Sequence, residues 1–148
     1  WNLFLELLDT SIFGLPIAQA IGRLANFFNQ ELYGLPTNGF FKIFIDEQHR
    51  LPGFESISYY HPLFLYEAFF TASFALWLYL FSRKSNRITS GSLFLLYAAY
   101  YSSVRLLLDP LRLSSSPLNK LVFASVVVLI SLYFLWQKMR TLYIHEKK

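Results

Sequence analysis

The sequence predicts an all-α fold: a polytopic helical membrane protein with about four membrane helices and a longer outward loop that holds a short hairpin. Three observations carry this expectation. The chain is 55% hydrophobic and 15% charged, with a mean hydropathy of +0.38, where an ordinary soluble domain carries about 25% charged residues. Its apolar residues fall in four blocks, each near the roughly 20 residues that cross a bilayer as a helix, the form that satisfies its own backbone there. Its lysines and arginines gather mainly in two clusters, which alternating membrane helices place on one side. A soluble all-α binding domain with a large core is the competing class, and it does not account for the membrane-length spacing of the blocks.

The first block covers about 11–30, with Asp9 and Thr10 as candidate helix caps. The residues before it, 1–8, are already apolar and periodic, and the chain opens on Trp1. The expectation is that the sequence starts partway through a longer protein. Residues 32–60 form a mixed loop with Pro36, Gly39, Pro52 and Gly53, in which 40–45 suit a short strand or hairpin arm. The second block, 63–82, has Glu67 as its only charge. A basic turn follows, with Arg83, Lys84 and Arg87 within 83–87. The third block, 88–108, contains a lone Arg105, and 109–117 is a short loop with Pro110. The fourth, 118–136, carries Lys120 only at its start, and the tail 137–148 is basic.

Taken together, 1–148 is expected to be a single membrane domain. The positive-inside rule puts the 83–87 turn and the 137–148 tail in the cytoplasm and the 32–60 loop outside. Tyr59, Tyr60, Tyr133 and Trp136 then sit at the interfaces, where aromatic belts form. The expected location is a cytoplasmic (inner) membrane, crossed several times, with the C-terminus inside.

The absence of cysteine excludes a disulfide framework and a thiolate metal site. His49, His61 and His145 make no metal-ligand spacing. No metal or cofactor is expected. The net charge of +4 comes largely from the two topological clusters, so nucleic acid is not an expected partner.

Chemistry concentrates in three segments. In 22–34 an arginine, two asparagines, a glutamine and a glutamate interrupt an apolar stretch, and polar groups at membrane depth usually bind or react with something. On a helix Arg23, Asn26 and Gln30 share one narrow arc, with Asn29 further round. Gly22 allows close approach, and Gly34 suits a turn after the helix. A polar stripe that glues helices together is the bland alternative, and the arginine fits it poorly. In 60–67, His61-Pro62 marks a helix start, with Tyr66 and Glu67 about one turn inside. An interfacial histidine and a carboxylate near a helix N-terminus explain that segment equally well. In 97–112, Tyr101, Arg105 and Asp109 lie at i, i+4 and i+8 on one face, where Arg105–Asp109 is a simple local ion pair. Pro110 leaves Arg112 unplaced by periodicity. Two arginines on different helices near the outer leaflet suggest a clamp for an anion, most simply a phospholipid headgroup.

Gly22-Arg23-x-Ala25-Asn26-Phe27-x-Asn29-x-Glu31-x-x-Gly34 resembles the signature of the prolipoprotein diacylglyceryl transferase family. His61-Pro62-x-x-Leu65-Tyr66-Glu67 resembles its second motif, and the Tyr101, Arg105, Arg112 pattern resembles its late arginine helix. The likeness spans about 8–136. It implies transfer of the diacylglyceryl group of phosphatidylglycerol to the lipobox cysteine of a prolipoprotein signal peptide, forming a thioether and releasing glycerol 1-phosphate without a cofactor. It implies catalytic roles for Arg23, Arg105, Glu31, His61 and Tyr101. Substrate binding would fall to Arg23, Asn26, Asn29, Gly34, Tyr66, Glu67, Asp109 and Arg112. In this scheme Glu31 holds Arg23 or a headgroup hydroxyl, Tyr101 supports Arg105 or donates to phosphate, and His61 is a candidate base.

Two departures stand out. The family's His-Gly-Gly motif and N-terminal helices have no counterpart in these residues, so the 148 residues alone are expected to be inactive. Aspartate stands at 109 where the family usually has glutamate. The alternative class is a non-catalytic phospholipid-binding membrane protein or an inactive transferase fragment.

Overall fold

A computed structural model describes residues 2–82, 90–113, 125–137 and 139. It is mostly helical. Helix α1 (Asn2–Ser11) and helix α2 (Leu15–Phe28) occupy the N-terminal stretch. Within the expected block at 11–30 the helix therefore starts only at Leu15 and ends at Phe28, and a turn separates it from α1. Ile12, Phe13 and Gly14 form a turn, closed by Ile12 N–H donating to the Asp9 carbonyl at 3.2 Å and Gly14 N–H to Ser11 at 3.1 Å. Pro16, in the first turn of α2, explains the break, because its ring lacks an N–H and clashes with the carbonyl four residues back in a continuous helix. Ile12 is wholly buried at this corner.

Helix α3 (Leu63–Ser82) has the bounds of the second apolar block. Helix α4 (Ser92–Leu108) continues into a 3-10 turn, Asp109–Leu111. Residues 83–89, with the basic turn, lie outside the described residues, as do 114–124, which include the start of the fourth block. The rest of that block is helix α5 (Ser125–Gln137). Among the described residues two helical stretches are long and apolar enough to cross a bilayer, Leu3–Phe28 and Leu63–Phe81. On α3, Phe64, Ala68, Thr71, Phe74 and Leu78 are buried while Phe69, Leu76, Tyr79 and Leu80 are exposed. An outward surface of that kind suits lipid rather than water.

Helix α2 packs most extensively on α3, and α4 rests on α3 and α1. The aromatic core lies between these helices, where Ile12, Phe74, Leu78, Leu93 and Tyr97 cluster. Asp9 does not cap its own helix. Its carboxylate accepts Gly91 N–H at 2.5 Å and Phe94 N–H at 2.9 Å, and so caps α4. Gly91 permits this because its φ of 80° lies in the left-handed region. Thr10 instead donates to the Glu6 carbonyl at 2.8 Å within α1. Replacing Asp9 with alanine is expected to cost about 1–2 kcal/mol, the usual worth of a strong cap. A lower thermal midpoint in detergent, restored by Asp9→Asn, checks this.

The 32–60 loop folds back on the helix ends. Strand β1 (Ile43–Phe44) pairs antiparallel with β2 (Tyr59–Tyr60), with Ile43 opposite Tyr60 and Phe44 opposite Tyr59. Tyr33, Ile45, Tyr60 and Phe64 make a second small core that fixes the loop to α3. Tyr33 is its peg: the phenol donates to the His49 carbonyl and accepts Leu51 N–H, each at 2.8 Å. Burial pushes its pKa up against the opposing pull of the Leu51 N–H, so it remains a donor.

Candidate functional site

Glu67, in the second turn of α3, is buried, with only 2% of its surface exposed. Three guanidiniums surround it. Arg23 from α2 places Nε 2.5 Å from Oε2. Arg105 from the end of α4 donates from Nη1 to Oε1 at 3.2 Å, and Arg112, just after the 3-10 turn, donates from Nη2 to the same oxygen. Asp109 is also buried, and its Oδ1 lies 4.0 Å from Arg112 Nε. Arg112 Nε is buried with no hydrogen-bond partner among the described residues.

The electrostatics follow from counting charges. Three guanidiniums against two carboxylates leave one positive charge unbalanced. Arginine stays protonated in such a setting and presents planar, paired donors. Charges removed from water interact more strongly, so the cluster is a preformed seat for one further negative charge. Its donors suit the oxygens of a phosphate or a carboxylate.

Arg112 reaches this place through the backbone rather than through its helix. Residues 33–37 run between two other segments. Gly34 N–H donates to the His61 carbonyl at 2.8 Å, Leu35 N–H to Leu111 at 2.7 Å, and His61 N–H to Leu35 at 3.0 Å. Gly34 bridges to Arg112, and Pro36 to Tyr60. A Cβ on Gly34 would sit 2.7 Å from the Leu111 carbonyl oxygen and 3.1 Å from His61 Cβ, so only glycine fits. Gly34 thus sets the crossing of three strands of backbone, beyond the turn expected of it.

The other expected site residues divide into groups. Asn26 is buried on α2, on the same helix as Arg23. Helix α2 ends at Phe28, so the shared arc stops short of Gln30. Gln30 takes a left-handed φ of 51°, and Leu32 one of 54°. Gln30 turns into the loop, where it donates from Nε2 to Asp46 Oδ2 at 2.5 Å and accepts Asp46 N–H at 2.6 Å. Asn29 donates to Glu31 at 3.1 Å, and Glu31 makes no ion pair with Arg23. His61 Nδ1 lies 3.3 Å from the Tyr66 hydroxyl. Tyr101 packs on Tyr97 at the aromatic core, with ring centroids 6.1 Å apart, and makes no hydrogen bond to Arg105. Arg105 pairs with Glu67, so the local Arg105–Asp109 pair expected from spacing is replaced by a pair between helices.

A cavity of about 390 Å³ opens beside the cluster, lined among others by Asn29, Gln30, Glu31, His49 and Arg112. His49 was not singled out from the sequence, because a histidine in a mixed loop carries no periodic signal. Glu67 as hub was also missed. The available signal was a lone acid in one apolar block facing lone arginines in two others, since unpaired charges at membrane depth seek each other.

A model of the prolipoprotein diacylglyceryl transferase family matches residues 2–140. A phosphatidylglycerol–prolipoprotein diacylglyceryl transferase of Gloeobacter violaceus is 44% identical over 126 residues, covering 84% of this chain and 46% of the relative. The protein of that name from Trichormus variabilis is 38% identical over 148 residues, covering 97% of this chain and 52% of its own length. That of Fervidobacterium nodosum is 40% identical over 119 residues, covering 80% and 40%. The chain spans about half the length of the curated relatives it matches. No solved structure matches it.

Proposed function

Because the chain belongs to the prolipoprotein diacylglyceryl transferase family, we propose that it forms part of an enzyme that acts on phosphatidylglycerol and a prolipoprotein signal peptide. The activity is assigned to the full-length protein. The observation that carries the reading is the cluster of Arg23, Arg105 and Arg112 on Glu67, with one positive charge in excess. A phosphodiester carries one negative charge, so phosphatidylglycerol neutralises the seat.

The lipobox thiolate sulfur attacks the glyceryl carbon that bears the phosphate oxygen. A carbon–sulfur bond forms and the carbon–oxygen bond breaks. The electron pair leaves on the phosphate oxygen of glycerol 1-phosphate, and the thiol proton passes to a base. The phosphate gains a second negative charge as it departs. Preorganised guanidiniums stabilise that change more than they stabilise the bound lipid, which is what accelerates the step. Asn26 and Asn29 orient headgroup oxygens, and Glu31 faces a headgroup hydroxyl from the cavity wall. Tyr66 holds His61, a candidate base. The signal peptide approaches from the outer side, where 32–60 lies. The native protein crosses the inner membrane with about four helices in this part and its C-terminus in the cytoplasm.

The test reconstitutes the full-length protein with phosphatidylglycerol and a lipobox peptide and measures thioether and glycerol 1-phosphate together. The expected result is equimolar release of both. Lipid retained without either product would sink the transferase reading and favour a phospholipid-binding protein. Arg105→Lys keeps the charge but loses the planar fork, and is expected to slow transfer about tenfold, the loss of one charge-assisted hydrogen bond of about 1.5 kcal/mol.

A further inference from the structure

Helix α2 carries one polar side chain that the arginine cluster does not use. Gln19 stands four residues before Arg23 and seven before Asn26 on one helical face, about 6 Å from Arg23 along the axis. Tyr97 holds it from α4. The Tyr97 hydroxyl donates to Gln19 Oε1. Tyr97 is itself buried against Phe74 of α3, with ring centroids 5.0 Å apart. On α4 it precedes Arg105 by eight residues, about 12 Å of helix. Gln19 and Tyr97 thus join α2 to α4 on the side of the cluster away from the 32–60 loop.

The carbonyl end of this amide is occupied and its other end is not. Among the described residues Gln19 Nε2 meets no acceptor, and it is not enclosed. A polar tie between helices accounts for the oxygen alone. The strip of α2 beside it is open as well: a Cβ on Gly22 would meet nothing within 4 Å. Gln19 lies within Leu3–Phe28, a stretch long enough to cross a bilayer, where hydrocarbon supplies no acceptor and an unpaired amide is costly. A lipid whose phosphate is held at the cluster brings one acceptor to this depth, its ester carbonyl. Two glyceryl carbons and the ester oxygen separate that carbonyl from the phosphate oxygen, a reach of about one helical turn. One turn is also the step from Arg23 to Gln19.

We propose that the Gln19 amide is a second hold on the donor lipid, donating from Nε2 to the carboxylic ester next to the glyceryl carbon that bears the phosphate. The proposal rests on the reading that the arginine cluster seats the phosphate of phosphatidylglycerol. Tyr97 is a positioning residue, since its hydroxyl fixes which end of the amide faces the lipid. The carbon that the sulfur attacks lies between the two holds, so phosphate and ester together fix its place. The same contact separates an ester from an ether, which lacks the carbonyl that Gln19 reads.

The test gives the full-length protein, in an ester-free detergent and with a lipobox peptide, either diacyl phosphatidylglycerol or its dialkyl ether analogue of equal chain length. Retained lipid and thioether are measured together. The parent protein is expected to favour the diacyl lipid about tenfold in both, the weight of one hydrogen bond. Gln19→Met keeps the length of the side chain and should bring that ratio to about one, by lowering the diacyl value to the dialkyl one. Tyr97→Phe leaves Gln19 in place but untied and should reduce the ratio several-fold; it carries the test if Gln19→Met fails to fold. A mere loss of stability lowers both lipids equally, and a ratio unchanged in the variants overturns the contact. A parent ratio near one also overturns it, and leaves the transferase reading intact if thioether forms from both lipids. Discrimination in retained lipid that Gln19→Met abolishes, with no thioether from either lipid, upholds the contact and overturns the transferase reading. Retention of neither lipid overturns both.

Discussion

Glu67→Gln is expected to reduce diacylglyceryl transfer by about 10²-fold or more and to lower the stability of the protein by about 3–5 kcal/mol, the cost of removing one member of a buried ionic network. The substitution is nearly isosteric, so packing on α3 is kept. What changes is charge. Three guanidiniums from α2, α4 and the segment after the 3-10 turn lose the carboxylate they share, and Asp109 remains 4.0 Å from one of them. The seat then holds two surplus charges, and the arginines separate before any lipid arrives. Inorganic phosphate or sulfate should raise the thermal midpoint of Glu67→Gln more than that of the parent protein, because in the variant the anion also substitutes for the missing carboxylate. Activity and midpoint both unaltered in the variant would show that the cluster is incidental.

Gly34→Ala is expected to cost about 1–3 kcal/mol, the range for overfilling a packed site. It is also expected to slow transfer by about 10²-fold, as a displacement near 1 Å at a reacting centre can do. The backbone at Gly34 does not lie in the left-handed region, so the penalty is purely one of space. The new methyl would meet the Leu111 carbonyl oxygen at 2.7 Å, and relief moves Leu111 and with it Arg112. Arg23 and Arg105 stay on their helices. The expected signature is therefore a fall in kcat with bound phosphatidylglycerol largely retained. Unchanged kcat would remove Arg112 from the leaving-group side of the reaction.

The sequence makes α3 legible to the residue, because an apolar run between Pro62 and a basic turn leaves few alternatives. A paired segment within 40–45 was readable from its aromatic and β-branched residues, and of these Ile43 and Phe44 form the strand. Helix α2 was not, since Pro16 and Gly14 lie within an apolar run whose length alone argues for one helix. The arginines were readable as candidates because a charge in an apolar block is conspicuous. Their partner was not. Spacing along one helix points Arg105 to Asp109, four residues on, while the structure satisfies it with a carboxylate from α3, 38 residues earlier. Gln30 fails for a similar reason: periodicity assumes that a helix continues, and the left-handed turn at its end sends the side chain to Asp46. Local rules find which residues carry chemistry, and tertiary packing decides whom they meet.

The Asp9 cap also bears on the order of assembly. The acceptor lies on α1, and the amides it receives belong to Gly91 and Phe94, separated from it by 82 and 85 residues. The cap therefore forms only when α1 and α4 pack together, and until then the Gly91 and Phe94 amides lack this acceptor. Closing so long a loop has a large entropic cost and is rewarded only at the end. The cap thus depends on closure of the bundle, with α1 fastening α4 across the chain between them.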